Sequence, residues 1–150
     1  MISTHPKAQL ASHEVRGTPA EQRSDVERFF RLAGYPVPIG KPLAAWGAWD
    51  REDLVGCLAI CLEDGVEILR GPEIVNRRRR RGYGKALLDA AAPALEGRTL
   101  YCVAYTHLLR MYGKAGFGPC APGEGPDFLR RRVAALVARG WHVALLKRNA

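Results

Sequence analysis

Residues 74–86, IVNRRRRRGYGKA, carry the feature that decides how the rest of this chain is read. An apolar pair, Ile74 and Val75, gives way to five consecutive arginines, Arg77 to Arg81, and then to glycines at 82 and 84. Behind them runs a helical stripe of Leu87, Leu88, Ala91, Ala92 and Leu95. A loop that opens a helix offers an anion unpaired backbone N–H groups and a favourable dipole. The missing β-carbons at Gly82 and Gly84 let the backbone approach phosphate oxygens closely. Arg79, Arg80, Arg81 and Lys85 add charge-assisted donors around the same point. The spacing is neither a dinucleotide GxGxxG nor a P-loop, because Lys85 is followed by Ala86 and not by Ser or Thr. By itself the stretch fits a pyrophosphate loop and a basic turn at a helix start equally.

Working outward, the pattern of elements is legible on both sides. Upstream, Leu43 to Trp49 and Leu54 to Leu62 read as strands joined at 50–53, and Asp64-Gly65 is a hairpin signal leading into a third strand, Val66 to Val75. Gly71-Pro72 inside that strand argues for a bulge or an unpaired position. Thr18 to Glu21 has capping-box spacing, with Val26, Phe29, Phe30 and Ala33 on one stripe before Gly34. Pro36, Pro38, Gly40 and Pro42 then mark a loop. Gln9 to Val15 is expected as a first strand, and residues 1–8 as a loose tail.

Downstream, Gly82 to Leu95 is expected as a helix with Pro93 disturbing its last turn. A strand follows at Thr99 to Tyr105, and a helix at His107 to Ala115 stops at Gly116. A Gly/Pro-rich loop spans Gly118 to Pro126. Phe128 to Arg139 is expected as a helix with Leu129, Val133, Leu136 and Val137 inward and Arg130 to Arg132 mostly solvated. Trp141 to Leu146 is apolar on both faces and reads as a late strand covered on both sides.

At 150 residues the chain fits one domain, 1–150, and a hydrophobic content of 47% suffices for a real core. The formal charge of +8 points to an anionic partner: nucleic acid, anionic lipid or a phosphorylated cofactor. No run approaches the roughly 18 apolar residues that span a bilayer, and residues 1–15 lack a signal-peptide core, so a cytoplasmic location and no membrane partner are expected. Cys57, Cys61, Cys102 and Cys120 lie mostly in apolar surroundings and read as reduced, buried thiols. Cys57 and Cys61, with His107 standing alone well away from them, do not make a zinc pattern, and no metal is expected.

A second motif resolves the first. Tyr112-Gly-Lys-Ala-Gly116-Phe117 follows after one helix and one strand, and RxxGxG at Arg79 to Gly84 together with this YxxxGF is similar to the paired signature of the GNAT superfamily of acyl-CoA N-acyltransferases. The resemblance covers roughly Leu43 to Phe117. It implies an α+β fold, a mixed α/β arrangement: a central, mostly antiparallel, twisted sheet, splayed at the acyl-CoA site, with helices on both faces.

The resemblance also implies a chemistry. In that family an amine attacks the thioester of acetyl-CoA directly in a ternary complex, and a tyrosine at the position of Tyr112 protonates the departing thiolate. A thiolate leaving into an apolar cleft needs such a donor. A base is needed for the ammonium, and Glu73 and Glu67 are the candidates on the preceding strand. Their parity puts them on one face unless the Gly71-Pro72 bulge breaks the register. His107 has a suitable intrinsic pKa, but a lone histidine at a helix start is commonly structural. By the same resemblance acetyl-CoA is held by Ile74, Val75, Arg79, Arg80, Arg81, Gly82, Tyr83, Gly84, Lys85, Ala86, Thr106 and Tyr112.

Two positions depart from the family pattern. Tyr105 stands where many relatives have an asparagine, with Thr106 as a substitute polar contact, and Asn76 stands where many have proline. The acceptor amine is not written in the sequence, and a homodimer is left open. Two further readings stay open: a domain that binds acyl-CoA as a sensor without turnover, and a basic nucleic-acid-binding module using Arg77 to Arg81 and Arg130 to Arg132. Against the latter, the arginine run is coupled to a GxG helix start, and no recognition-helix or aromatic sheet pattern accompanies it.

Overall fold

Alternation along the strands sorts the apolar side chains onto two faces, and two sets of helices cover them. The computed structural model describes residues 14–18, 23–36 and 38–150. The expected tail, the N-terminal part of the expected first strand and residues 19–21 of the capping box lie outside these. In chain order the elements are β1 (Glu14–Gly17), α1 (Arg23–Leu32), β2 (Lys41–Asp50), β3 (Asp53–Glu63), β4 (Val66–Ile74), α2 (Tyr83–Leu95), β5 (Leu100–Tyr105), α3 (Leu109–Lys114), β6 (Gly118–Pro119), α4 (Asp127–Ala138) and β7 (Val143–Arg148).

The strands form one seven-stranded sheet in the order β1-β2-β3-β4-β5-β7-β6. Every neighbouring pair is antiparallel except β4 and β5. On one face α2 lays Leu87, Leu88, Ala91 and Leu95 against Leu58, Ile60, Leu69, Leu100, Cys102 and Ala104. On the other, α1 buries Val26 and Phe30 over Ala45, Cys57, Ala59 and Cys61, while α4 buries Leu129 with Ile68 and Leu145. Among the described residues no helix is long and apolar enough to cross a membrane.

Several expectations shift. Pro42, expected in a loop, lies inside β2, opposite Cys61. It is tolerated because, among the described residues, β1 pairs with β2 only from Trp46 to Trp49, which leaves that edge of the strand unpaired at Pro42, and a register shift follows at once. The stretch expected as one helix from His107 begins as a 3-10 turn, Thr106–Leu108, before α3. Pro93 sits exposed inside α2, two residues from its end. The loop after Phe117 contains the two-residue strand β6, and β7 starts at Val143 and not at Trp141. Val137 is exposed, not inward. Cys57, Cys61 and Cys102 are buried free thiols, whereas Cys120 is only half-buried.

Candidate active site

The site begins where β4 stops behaving like its neighbours. Along its β3 edge the register runs from Glu63↔Val66 to Gly56↔Ile74, whereas along its β5 edge the pairing is confined to Ile68↔Tyr101. Beyond that point β4 and β5 part. Between them opens a cleft lined by Gly71, Pro72, Glu73, Val103, Tyr105 and Tyr112, with Tyr35 and Arg70 also in its walls.

The expected bulge is present and sets what faces this cleft. Ala59 lies opposite Arg70 but Cys57 opposite Glu73, so β4 carries one extra residue here. Gly71 makes the turn at φ +88°, and a β-carbon there would come within 2.7 Å of the Cys57 carbonyl oxygen. Cross-strand partners share a face. Glu73 therefore points to the α1/α4 face together with Arg70, and Glu67 to the other.

That separates the two candidate bases. Glu67 is bound by Arg98 at 2.5 Å, outside the cleft. The expectation that they share a face fails because the extra residue inverts the alternation. Glu73 is buried and lines the cleft. Burial raises its pKa, opposed by Arg79, whose Nη2 donates to its carboxylate at 3.0 Å.

Tyr112 reaches the cleft from α3. Its hydroxyl donates to the Gly71 carbonyl at 2.6 Å, at the bulge itself. Burial holds its pKa well above the ordinary tyrosine value, and the Cys102 thiol, hydrogen-bonded to it and itself pushed up to about 12 by burial, adds to this. The YxxxGF spacing has a local reason. Gly116, at φ +94°, ends α3, and the Phe117 N–H returns to the Tyr112 carbonyl. The Phe117 ring then stands edge-on to the Tyr112 ring at 6.1 Å and fixes its tilt. Arg148, which the sequence reading did not single out, holds the same corner by donating to the Ala115 and Leu95 carbonyls at the ends of α3 and α2.

The basic loop divides its labour. Arg78 pairs with Asp50, and Arg79 is drawn to Glu73 and the Ile74 carbonyl. Arg80 and Arg81 are exposed beside the start of α2, with Lys85 paired to Asp89. Arg80 at φ +64° and Gly82 at φ +87° are both left-handed, a strained turn at the helix cap. The Ala86 N–H closes the first helical turn on Gly82, so the amides of Gly84 and Lys85 have no acceptor within the helix. The Tyr83 ring belongs to the core under α2, while Asp50 and the loop residues Arg78 and Arg81 act on its hydroxyl. Ile74 and Val75 pack partly against the same core.

At the far wall, Tyr105 lines the cleft between the His107 and Trp141 rings, stacked on them at 5.7 and 6.0 Å. Thr106 is exposed, its N–H spent on the His142 carbonyl. Arg132, expected in solvent, instead lines the cleft and clamps Glu63. Arg70, Tyr35, Arg132 and Glu63 were not read as site residues. The one sequence signal was Arg70, a charge embedded in the apolar run of a strand. Among the described residues no three His, Cys, Asp or Glu side chains are grouped to hold a metal.

A sheet of this order, split between its fourth and fifth strands and carrying a basic loop at the helix after the fourth, is the GNAT acyl-CoA N-acyltransferase fold. An acyl-CoA N-acyltransferase from Pseudomonas aeruginosa superposes with a TM-score of 0.61 at 16% identity, over 91% of this chain and 99% of that one. NAA60 from Arabidopsis thaliana, in complex with acetyl-CoA, gives 0.55 at 17%, over 92% and 99%. N-acetylglutamate synthase from Neisseria gonorrhoeae, complexed with coenzyme A and L-arginine, gives 0.55 at 14% over 91% of this chain, which spans about a third (33%) of that protein. No family model matches the sequence, and neither does any curated protein.

Proposed function

We propose that this protein is an N-acyltransferase that moves an acetyl group from acetyl-CoA to a primary amine by direct attack in a ternary complex. The observation that carries it is Tyr112, held with its hydroxyl at the point where β4 and β5 part. The Arg80 to Lys85 turn takes the pyrophosphate at the N-terminus of α2. The pantetheine arm enters the split beside Ile74 and Val75, whose edge on the β5 side has no strand partner among the described residues. The thioester then lies against Tyr112.

Two residues of the chain handle the protons. Glu73 accepts one from the incoming ammonium, a task its burial-raised pKa favours by bringing it nearer neutrality. The freed amine adds to the thioester carbonyl, the C–S bond breaks as Tyr112, kept neutral by burial, gives its proton to the leaving sulfur, and the second proton, shed by the newly acylated nitrogen, restores the tyrosine. Arg79 holds Glu73 in place.

Release of free CoA thiol from acetyl-CoA in the presence of polyamines, aminoglycosides, amino acids and peptides with free N-termini tests this. Amine-dependent release is expected. Binding without release for every amine would make the chain a sensor. Salt-sensitive binding of nucleic acid without any of acetyl-CoA would make it a basic module.

A further inference from the structure

The charges around the cleft do not balance. Arg79 answers Glu73, but Arg70 and Arg132 share the single carboxylate of Glu63, at 2.8 Å from Arg70 Nη2 and 3.0 Å from Arg132 Nη1. Arg70 is 1% exposed, and its Nε–H is buried without a partner among the described residues. Glu27 of α1 also acts on this region, through Cys61, but from an exposed position where solvent screens it. One guanidinium charge is thus uncompensated in a cleft wall where Arg70 is buried and Arg132 and Glu63 are partly exposed, together with an unmet donor. Protein interiors seldom leave either so, because both are costly.

The bulge decides what that surplus charge is near. Without the extra residue at Gly71-Pro72, side chains three apart would point to opposite faces. With it, Arg70 and Glu73 share a face, the first opposite Ala59 and the second opposite Cys57. The same cleft therefore presents a proton acceptor for an amine and a guanidinium pair with one surplus charge for an anion. Tyr35 and Pro36 on one side and Leu136 on the other make its walls apolar and close.

We infer that the acceptor is a small amine carrying a carboxylate, an α-amino acid or its near analogue. It lays its carboxylate on Arg70 and Arg132 and its nitrogen towards Glu73 and Tyr112. This rests on the acyltransferase reading. It makes Arg70 and Arg132 the specificity residues, and the bulge the device that puts Arg70 on the same face as the base.

The test compares free L-α-amino acids with their α-carboxamides as acceptors, with acetyl-CoA binding followed in parallel by calorimetry. At least one amino acid should be acetylated with kcat/KM about 100-fold above its amide, because the amide leaves the guanidinium unanswered. Arg132→Gln should raise KM for that amino acid roughly 10-fold with little change in kcat and shrink its advantage over the amide. Arg70→Lys should do the same, keeping the charge while losing the Nε–H. Equal use of acid and amide, or use only of amines without a carboxylate, would overturn this inference and leave the acyltransferase reading standing. So would acetyl-CoA binding with neither turnover nor calorimetric binding of any amino acid to the CoA-loaded protein. Absence of acetyl-CoA binding would overturn both.

Discussion

The two edges of β4 are built from the same nine residues and do opposite things. Its β3 edge is paired from the hairpin to Ile74, with one bulge, while its β5 edge is paired at Ile68 and then open. Parallel strands must be joined by a crossover, here α2, and need not stay in register along their whole length. The closed edge supplies a rigid frame. The open one leaves backbone groups and a cleft for a ligand. The bulge belongs to the closed edge, yet it orients Arg70 and Glu73 in the open one, so the frame does not merely support the site but sets its content.

Breaking the open edge should cost activity and little stability. Tyr112→Phe removes the proton donor but keeps the ring against Phe117, so kcat should fall roughly 1,000-fold with acetyl-CoA affinity within about 2-fold. The lost bond to Gly71 should lower stability by only about 1 kcal/mol in a denaturant melt. An unchanged kcat would remove Tyr112 from the mechanism.

On the closed edge the order reverses. Glu63→Gln leaves the buried Arg70 and the half-buried Arg132 without their carboxylate and should cost about 3 kcal/mol of stability. The Glu63 carboxyl is held below the usual range, chiefly by the Arg132 hydrogen bond. Its contribution is therefore present above the unfolded carboxylate pKa and is lost as pH falls through the lower folded value. Wild type and variant should converge in acid, and a constant gap down to pH 2 would contradict the pairing.

Two smaller effects sharpen the contrast. The nearest atoms to a β-carbon at Gly84 would be Met111 Sδ at 3.5 Å and Pro72 at 3.9 Å, ordinary contacts, so Gly84→Val should fold and yet bind acetyl-CoA roughly 100-fold more weakly by blocking the phosphates. Retained affinity would mean that the pyrophosphate lies elsewhere. Glu73→Gln should lower kcat/KM about 30-fold at neutral pH, water carrying the rest of the proton transfer. Because burial raises the Glu73 pKa, wild-type kcat/KM should drop as pH falls through a point above the ordinary carboxylate range. The variant should lack that limb.

Much of this was legible in the residues. Hydrophobic period and turn chemistry placed the β2 to β4 meander, α2, β5 and α4 within a few residues, and the coupling of the Arg79 to Lys85 loop with Tyr112 to Phe117 named the fold. What escaped depends on register and tertiary pairing. Whether Gly71-Pro72 adds a residue to the ladder cannot be read from composition, and that one residue decides which face Glu73 takes. Arg132 looked solvated because its partner Glu63 is 69 positions away. The two-residue β6 exists only because β7 is there to pair with it. Tyr105 took the place of a polar residue, but its ring contacts with His107 and Trp141 involve a segment that reads locally as a strand start.

The central claim is that the open edge of β4 and the turn before α2 together form an acyl-CoA site. Calorimetric titration of the protein with acetyl-CoA tests it most directly. The account predicts saturable binding at one site per chain with a micromolar or lower Kd, reduced by Gly84→Val and left intact by Tyr112→Phe. No binding at micromolar concentrations would contradict it.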